Sequence, residues 1–438
     1  MTKIISINSD PKAEKDSIFV YLCRVYKSLN LLFWIYILTA VLITIASVFF
    51  ARNTQIFAPH AMTASTNIIS PLQRIETAKT NVAPVSEFIN REIIGFLPSW
   101  TVAANTDVNI KSLTQLVYFG LGVTENGDIV KYDNNKNPTL EWHYFNSDRF
   151  TALRKTAKKN STEVLIAFKM FDNETTDNLI SNSASTDRFI KNVISLLKQY
   201  DLDGINLDIE YFTPHQNGAG FTDSYFPTAR YLNSFLGRVT DALKKSDSKY
   251  KVSIDVNATV VLADGAYDMV KIGELADEVI LMAYDYRVPA SQRAGPAAPI
   301  NATINEYSIT ESINSLSGRV PMEKIILGIP LYGYEWQTLN KNNKSTAVAG
   351  SGALATYKRV QELLKTRKDI EKHWDSKAMS PWLVYTQSGA IKQIYYEDDR
   401  SLKAKLDFVK DKNLGGVSLW ALGYEGKYEN VWDLFSGK

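Results

Sequence analysis

Between residues 92 and 420 the chain repeats one pattern eight times: a short apolar stretch, then a polar or helix-periodic segment. Candidate strands fall at 92–96, 115–120, 164–168, 204–210, 252–257, 279–284, 325–330 and 416–420. Helical periodicity is clearest at 187–200, 229–245 and 402–412. Strands alternating with helices imply a parallel sheet covered by helices, and eight such units close into a (β/α)8 TIM barrel of the α/β class. A doubly wound open sheet is the alternative, but no glycine-rich phosphate loop follows the first strand.

The fourth candidate strand stands out. From Ile205 to Glu210 it alternates strictly, with Ile205, Leu207 and Ile209 on one face and Asn206, Asp208 and Glu210 on the other. Asp and Glu are poor strand formers, so two of them in mid-strand have no evident structural return. Successive same-face residues stand roughly 7 Å apart. Two carboxyls so placed in a partly dry site push their pKa values apart, which suits general-acid chemistry on a glycosidic oxygen. A solvated edge strand is the bland alternative.

In a barrel the active site collects at the C-terminal ends of the strands. Asp208 and Glu210 end the fourth strand, Asp255 and Asn257 the fifth, Tyr284 and Asp285 the sixth and Trp420 the eighth. Phe96 and Trp100, at the end of the first, join the candidate substrate contacts. Residues 331–398, after the seventh strand, carry Tyr332, Tyr334, Trp336, Trp382, Tyr385, Tyr395 and Tyr396, with short strands expected at 382–385 and 391–396. They read as a small α+β insertion walling one side of the cleft, with most aromatics serving its own core.

The N-terminal quarter differs. Residues 31–51 form an apolar run without a charge, long enough to span a bilayer as a helix. Lys12, Lys15, Arg24 and Lys27 precede it and Arg52 alone follows closely, so the expectation is a single-pass signal anchor with residues 1–30 cytoplasmic. Its end, Val48-Phe49-Phe50-Ala51-Arg52, is a poor cleavage site. Residues 52–90, rich in Ala, Thr, Asn and Ser with scattered prolines, read as a flexible linker, and 91–438 as the catalytic barrel. A formal net charge of +2 gives no reason to expect a nucleic-acid partner. The single Cys23 excludes an intrachain disulfide, and the four scattered histidines give no metal-ligand spacing, so no metal or cofactor is expected. A monomer is expected, with the oligomeric state left open.

The motifs carry a family resemblance. Asp203-Gly204-Ile205-Asn206-Leu207-Asp208-Ile209-Glu210 resembles the DGxDxDxE signature of glycoside hydrolase family 18, the chitinase-like (β/α)8 enzymes. Met282-Ala283-Tyr284-Asp285 is similar to the sixth-strand motif, Gly328-Ile329-Pro330-Leu331-Tyr332-Gly333 to the seventh, and Gly415-Gly416-Val417-Ser418-Leu419-Trp420 to the eighth. The similarity covers roughly residues 91–438. Two departures stand out. Asn206 replaces the usual first acid after the glycine, and Ala167-Phe168-Lys169-Met170 replaces the usual SxGG of the third strand. The Asn variant, with Gly265-Ala266-Tyr267-Asp268 and Gly295-Pro296-Ala297-Ala298-Pro299, resembles the branch holding bacterial spore-germination cortex hydrolases, although wall-binding LysM repeats are not apparent.

The resemblance implies a glycosidase acting on N-acetylglucosamine-containing glycan by the substrate-assisted route that sets this family apart from the two-carboxylate scheme. It implies Glu210 as acid and then base, Asp208 as holder of the 2-acetamido group and Tyr284 as support of its carbonyl. Asn206, Met282, Asp285 and Tyr332 are implied as supporting or substrate contacts and Trp420 as the floor under the sugar, while Asp203 reads as a hydrogen-bonding strand residue. With Asn206 in place of an acid, Asp208 has no neighbouring acid on that side and is expected to stay ionised over a wider acidic range. A non-catalytic sugar-binding protein on the same barrel is the second reading. Loss of the acid usually marks such relatives, and here Glu210 and Asp208 are both present.

Overall fold

The computed structural model describes residues 91–211, 226–262, 265–303 and 305–436. Eight parallel strands close a barrel: β1 (Glu92–Pro98), β2 (Gln115–Gly122), β3 (Glu163–Met170), β4 (Gly204–Ile209), β5 (Lys251–Asn257), β6 (Glu278–Met282), β7 (Ile325–Pro330) and, after the insertion, a last strand Gly416–Trp420. Their order follows the sequence, and the last strand pairs with both β1 and β7. The TIM-barrel expectation holds. The candidate membrane helix at 31–51 and the linker at 52–90 lie outside the described residues, among which no helix is long and apolar enough to cross a membrane.

Alternation decides which side chains enter the barrel. On β4, Ile205, Leu207 and Ile209 join the large apolar cluster beneath the surrounding helices, which leaves Asn206 and Asp208 to the interior. Ile94, Phe96, Val117, Phe119, Leu165, Ala167, Ile280 and Ile326 fill the interior from β1, β2, β3, β6 and β7. One sector of the core is thus polar, at β4 and β5, against an apolar remainder.

Local chemistry fixes where β4 begins. The helix Ser183–Tyr200 is capped by Asn182, whose side chain accepts from the N–H groups of Ala184 and Ser185, and it ends at Asp201 in the left-handed region at φ 53°. Asp203 then accepts from Val164 N–H at 2.7 Å and from Lys158 at 2.8 Å, the strand-tethering role read for it. Gly204 follows because a Cβ there would stand 2.2 Å from the Lys251 carbonyl oxygen.

Between β7 and the last barrel strand the chain builds a second, antiparallel sheet. It comprises β8 (Tyr332–Thr338), β9 (Ala353–Thr356), β10 (Glu371–Asp375), β11 (Ser380–Gln387) and β12 (Ala390–Tyr395), in the order β10-β11-β12-β8-β9; the last barrel strand is therefore β13. The helix Tyr357–Thr366 joins β9 to β10. Trp336, Trp382, Tyr385, Tyr395 and Tyr396 are buried in its two apolar clusters. Tyr284 and Trp420, from the barrel mouth, pack against one of them.

Candidate active site

The parallel register sets Asp208 on β4 opposite Asp255 on β5, and Asn206 opposite Ser253. Adjacent strands run roughly 4.8 Å apart, so the two aspartates are neighbours inside the barrel. Asn206 Nδ2 donates to Asp255 Oδ1 at 2.8 Å and to Ser253 Oγ at 3.1 Å. Asp208 and Asp255 are each only 3% exposed, and Asp208 Oδ1 has no hydrogen-bond partner among the described residues.

Burial dominates the electrostatics. It pushes the Asp255 carboxyl up to about 8, with the Asn206 amide pulling down and Glu210 pushing further up. Burial also lifts Asp208 well above the usual carboxylate range; Asp255 and Glu210 add to this, and Lys169 opposes it. The two aspartates thus hold a proton near neutrality as a unit. Asp208 was expected to be relieved of an acidic neighbour by Asn206, and that expectation is overturned. The acid missing from position 206 has a counterpart on the next strand, Asp255, to which the Asn206 amide is tied.

Glu210 lies one residue past the end of β4 and is half-buried, its backbone N–H donating to the Met170 carbonyl at 3.1 Å. Burial and then the Asp285 charge raise its carboxyl. Asp285 adopts φ 61°, a left-handed conformation uncommon outside glycine and tolerated best by Asn and Asp. Its Oδ1 accepts from Tyr332 at 2.6 Å and Tyr334 at 2.7 Å. Burial still raises it above the ordinary value despite those two donors. The Tyr284 phenol is raised by burial and stays a proton donor. Its ring has room because residue 328 is glycine: a Cβ there would meet the Leu281 carbonyl oxygen at 2.7 Å and the Tyr284 ring at 3.1 Å.

Aromatic rings form the other wall. Trp420 lies 4.7 Å from Phe119, 5.8 Å from Phe96 and 6.3 Å from Trp100, centroid to centroid. Trp100 is 42% exposed and so offers a ring face to a ligand. Phe96 was read as a substrate contact, and Asn206 and Tyr332 as supporting or substrate groups; the side chains of all three are covered. Each contacts a neighbour nearer the mouth: Phe96 packs against the Trp420 ring, the Asn206 amide donates to Asp255 and the Tyr332 hydroxyl donates to Asp285. Met282, at the end of β6, is at the edge of burial.

Two further features join the mouth. Asp255 was read only as a polar strand end, although Ser253, Asp255 and Asn257 alternate with Val252, Ile254 and Val256 in the rhythm that marked β4. Lys169, in the altered third-strand motif, stands in register with Asp208, and its ammonium pairs with Glu141 at 2.6 Å. Among the described residues no cluster of His, Cys, Asp and Glu is arranged to hold a metal.

A family model of glycosyl hydrolases family 18 matches residues 92–425. The chain belongs to that family. Its enzyme class is therefore glycosidase. Among curated relatives, "Probable chitinase 2" of Drosophila melanogaster is 23% identical over 76% of this chain and 72% of its own length. "Cortical fragment-lytic enzyme" of Bacillus subtilis is 24% identical over 62% of this chain, and the match spans 60% of that protein. Among solved structures, a family 18 N-acetylglucosaminidase from Paenibacillus barengoltzii shares the fold, with a TM-score of 0.64 at 20% identity, over 80% of this chain and all of that one. The cortex-lytic relative accords with the branch that the Asn206 variant resembles.

Proposed function

We propose that the chain is a membrane-anchored, extracytoplasmic glycosidase that cleaves β-linked N-acetylglucosamine glycans, peptidoglycan before chitin, by a substrate-assisted retaining mechanism. The observation that carries this reading is the buried carboxyl cluster at the β4 and β5 ends, with Glu210 raised and half-buried beside it. A raised Glu210 keeps the proton it must deliver to the leaving glycosidic oxygen. As the bond breaks, the substrate's 2-acetamido oxygen attacks the anomeric carbon and an oxazolinium ion forms. With the shared proton on Asp255, the unpartnered Asp208 Oδ1 accepts the acetamido N–H, and its charge offsets the positive charge on the ring. Tyr284 donates to the acetamido oxygen. Glu210, now ionised, takes a proton from the water that opens the oxazolinium ring, and the configuration is retained.

Peptidoglycan is favoured by the cortex-lytic relative and by the charge-free run at 31–51, which as an anchor would hold the domain within reach of a cell wall. The sugar-binding alternative leaves the two retained acids without a task. The test is digestion of purified peptidoglycan and of chitin oligomers by the full-length chain, with products read by mass. New reducing ends at N-acetylglucosamine are expected, and intact glycan strands in both digests would refute the activity. Protease added to intact spheroplasts should release a soluble domain, while full protection would refute the outward orientation.

A further inference from the structure

The Gly265-Ala266-Tyr267-Asp268 stretch has no part in the chemistry above, yet its tyrosine reaches the catalytic strand. Tyr267 is 6% exposed. Its hydroxyl donates to the Ile209 carbonyl at 2.6 Å and accepts from the Tyr211 N–H at 3.1 Å. Those two backbone groups flank Glu210. In a parallel ladder one residue on the adjacent strand spans that same pair, its N–H bonding the carbonyl before the opposite residue and its C=O bonding the N–H after it. The β4–β5 ladder, however, has its last register pair at Asp208 and Asp255. A phenol is both donor and acceptor, so one hydroxyl replaces the missing rung. On the other side, β3 holds the Glu210 N–H through Met170, and the Tyr211 hydroxyl donates to Asp177 at 2.8 Å.

We infer that Tyr267, backed by the Tyr211–Asp177 bond, is a positioning residue that extends the β4 ladder by one rung and so aims the Glu210 carboxyl at the leaving oxygen. The inference rests on the reading of Glu210 as the general acid. Burial keeps the Tyr267 phenol protonated through the working pH range, so the clamp is present whenever the acid is.

Tyr267→Phe keeps the ring and removes both bonds. The readout that separates positioning from stability is leaving-group dependence. In an N-acetylglucosamine oligomer the leaving group is a sugar hydroxyl, which needs the acid's proton to depart, whereas a dinitrophenyl glycoside releases dinitrophenolate without one. For the full-length variant, kcat on the oligomer should fall roughly 10- to 100-fold with KM within about twofold, and kcat on the dinitrophenyl glycoside by less than about threefold. Tyr357→Phe is the stability control. It also removes two hydroxyl hydrogen bonds, one donated to Asp399 and one accepted from Asn430, and neither involves Glu210, Ile209 or Tyr211. Equal losses on both substrates, or wild-type kcat on the oligomer, would overturn the inference. Glu210→Gln assayed alongside keeps the two claims apart, since full oligomer cleavage by that variant refutes the acid assignment itself. Should Tyr267→Phe not fold, Asp177→Ala frees Tyr211 from the far side. The same leaving-group split is then expected, and its absence counts against the clamp.

Discussion

The two ends of the barrel both gather acidic side chains, and they treat them in opposite ways. At the N-terminal end Lys251 Nζ lies 2.9 Å from Glu92, 2.9 Å from Glu163 and 3.1 Å from Glu278, and Gln115 donates to Glu278 at 2.6 Å. Burial there works against the charged form of Glu92, but the Thr114 hydroxyl and the Lys251 ammonium outweigh it and hold its carboxyl below the ordinary value. Glu278, the most covered of the three, is still pushed up to about 6 by burial. At the C-terminal end Asp255 and Asp285 take neutral partners, Asn206 and the two tyrosines, and burial raises Asp208, Glu210, Asp255 and Asp285 alike. The difference lies in compensation: a central cation turns acids into fold stability, while its absence stores proton affinity for chemistry. In this fold the C-terminal face is where catalysis resides and the opposite face serves stability.

Replacing an acid at the catalytic end should sharpen that contrast most. Glu210→Gln keeps size and hydrogen bonding but removes the transferable proton, so kcat on N-acetylglucosamine oligomers should fall roughly 10²- to 10⁴-fold or more. Stability should not fall with it. A carboxyl raised in the folded state contributes stability below its unfolded pKa, and loses that contribution as pH rises through the folded one. Near neutrality the amide should therefore melt no lower than wild type. A variant both active and unstable would invert the roles assigned to the two ends.

At the stability end the pattern reverses. Lys251→Met leaves Glu92, Glu163 and Glu278 facing one another without their cation. Loss of about 3 kcal/mol is expected, the low end for breaking a buried pair, because these side chains remain partly exposed. Denaturant unfolding would measure it. At a temperature where the variant is folded, kcat should match wild type, and a selective loss of kcat would show that the lower cluster reaches the site.

Titration offers a finer break. Asp255 is pushed up to about 8, so the folded chain keeps a proton that the unfolded chain releases near about 3.9. Its share of stability is therefore complete at low pH and lost as pH rises toward the folded value. Asp255→Asn should flatten that decline between about pH 5 and about pH 9, with Tm exceeding that of wild type at the alkaline end. Glu278 declines in the same direction in both proteins and cancels from the difference. Parallel Tm curves would show that Asp255 does not hold the proton.

The same two ends show what a sequence discloses. The barrel was legible because each strand advertises its own faces: Ile205, Leu207 and Ile209 toward the helices, Asn206 and Asp208 toward the interior. Glu210, Asp208, Tyr284 and Asp285 could be named from the strand ends and the motifs. The partnership of Asp208 with Asp255 could not, since it depends on the register between two strands, which neither strand encodes alone. Lys251 is a solvated lysine by any local reading until β1, β3 and β6 bring their glutamates to it. In the insertion, β11 and β12 were visible as apolar runs. β10, Glu371–Asp375, is an exposed polar edge without alternation, and β8 is so dense in aromatics that it reads as lining rather than as strand.

The smallest effect concerns Lys169, a cation that bears on the catalytic end. It faces Asp208 across the β3–β4 register and lowers that carboxyl's proton affinity, against burial, Asp255 and Glu210, which raise it. Its ammonium is bonded to Glu141, and both side chains are about a quarter exposed. Lys169→Met keeps the stem and removes the charge, leaving the Glu141 carboxylate uncompensated at the rim. Both changes favour the protonated form of Asp208, so the acid limb of the pH–rate profile should move to higher pH. The shift should stay under about one unit, because solvent and salt screen a pair at this exposure. Glu141→Gln removes the opposing charge while keeping Lys169, and should move the limb the other way. Raising the salt concentration should narrow the gap between the variants, since the Debye length falls from about 8 Å at physiological strength to about 3 Å at molar salt. If both variants track the wild-type profile at low salt, the lysine of the third strand has no hold on the catalytic end, and the cluster of Asp208, Asp255 and Glu210 sets its own proton affinity.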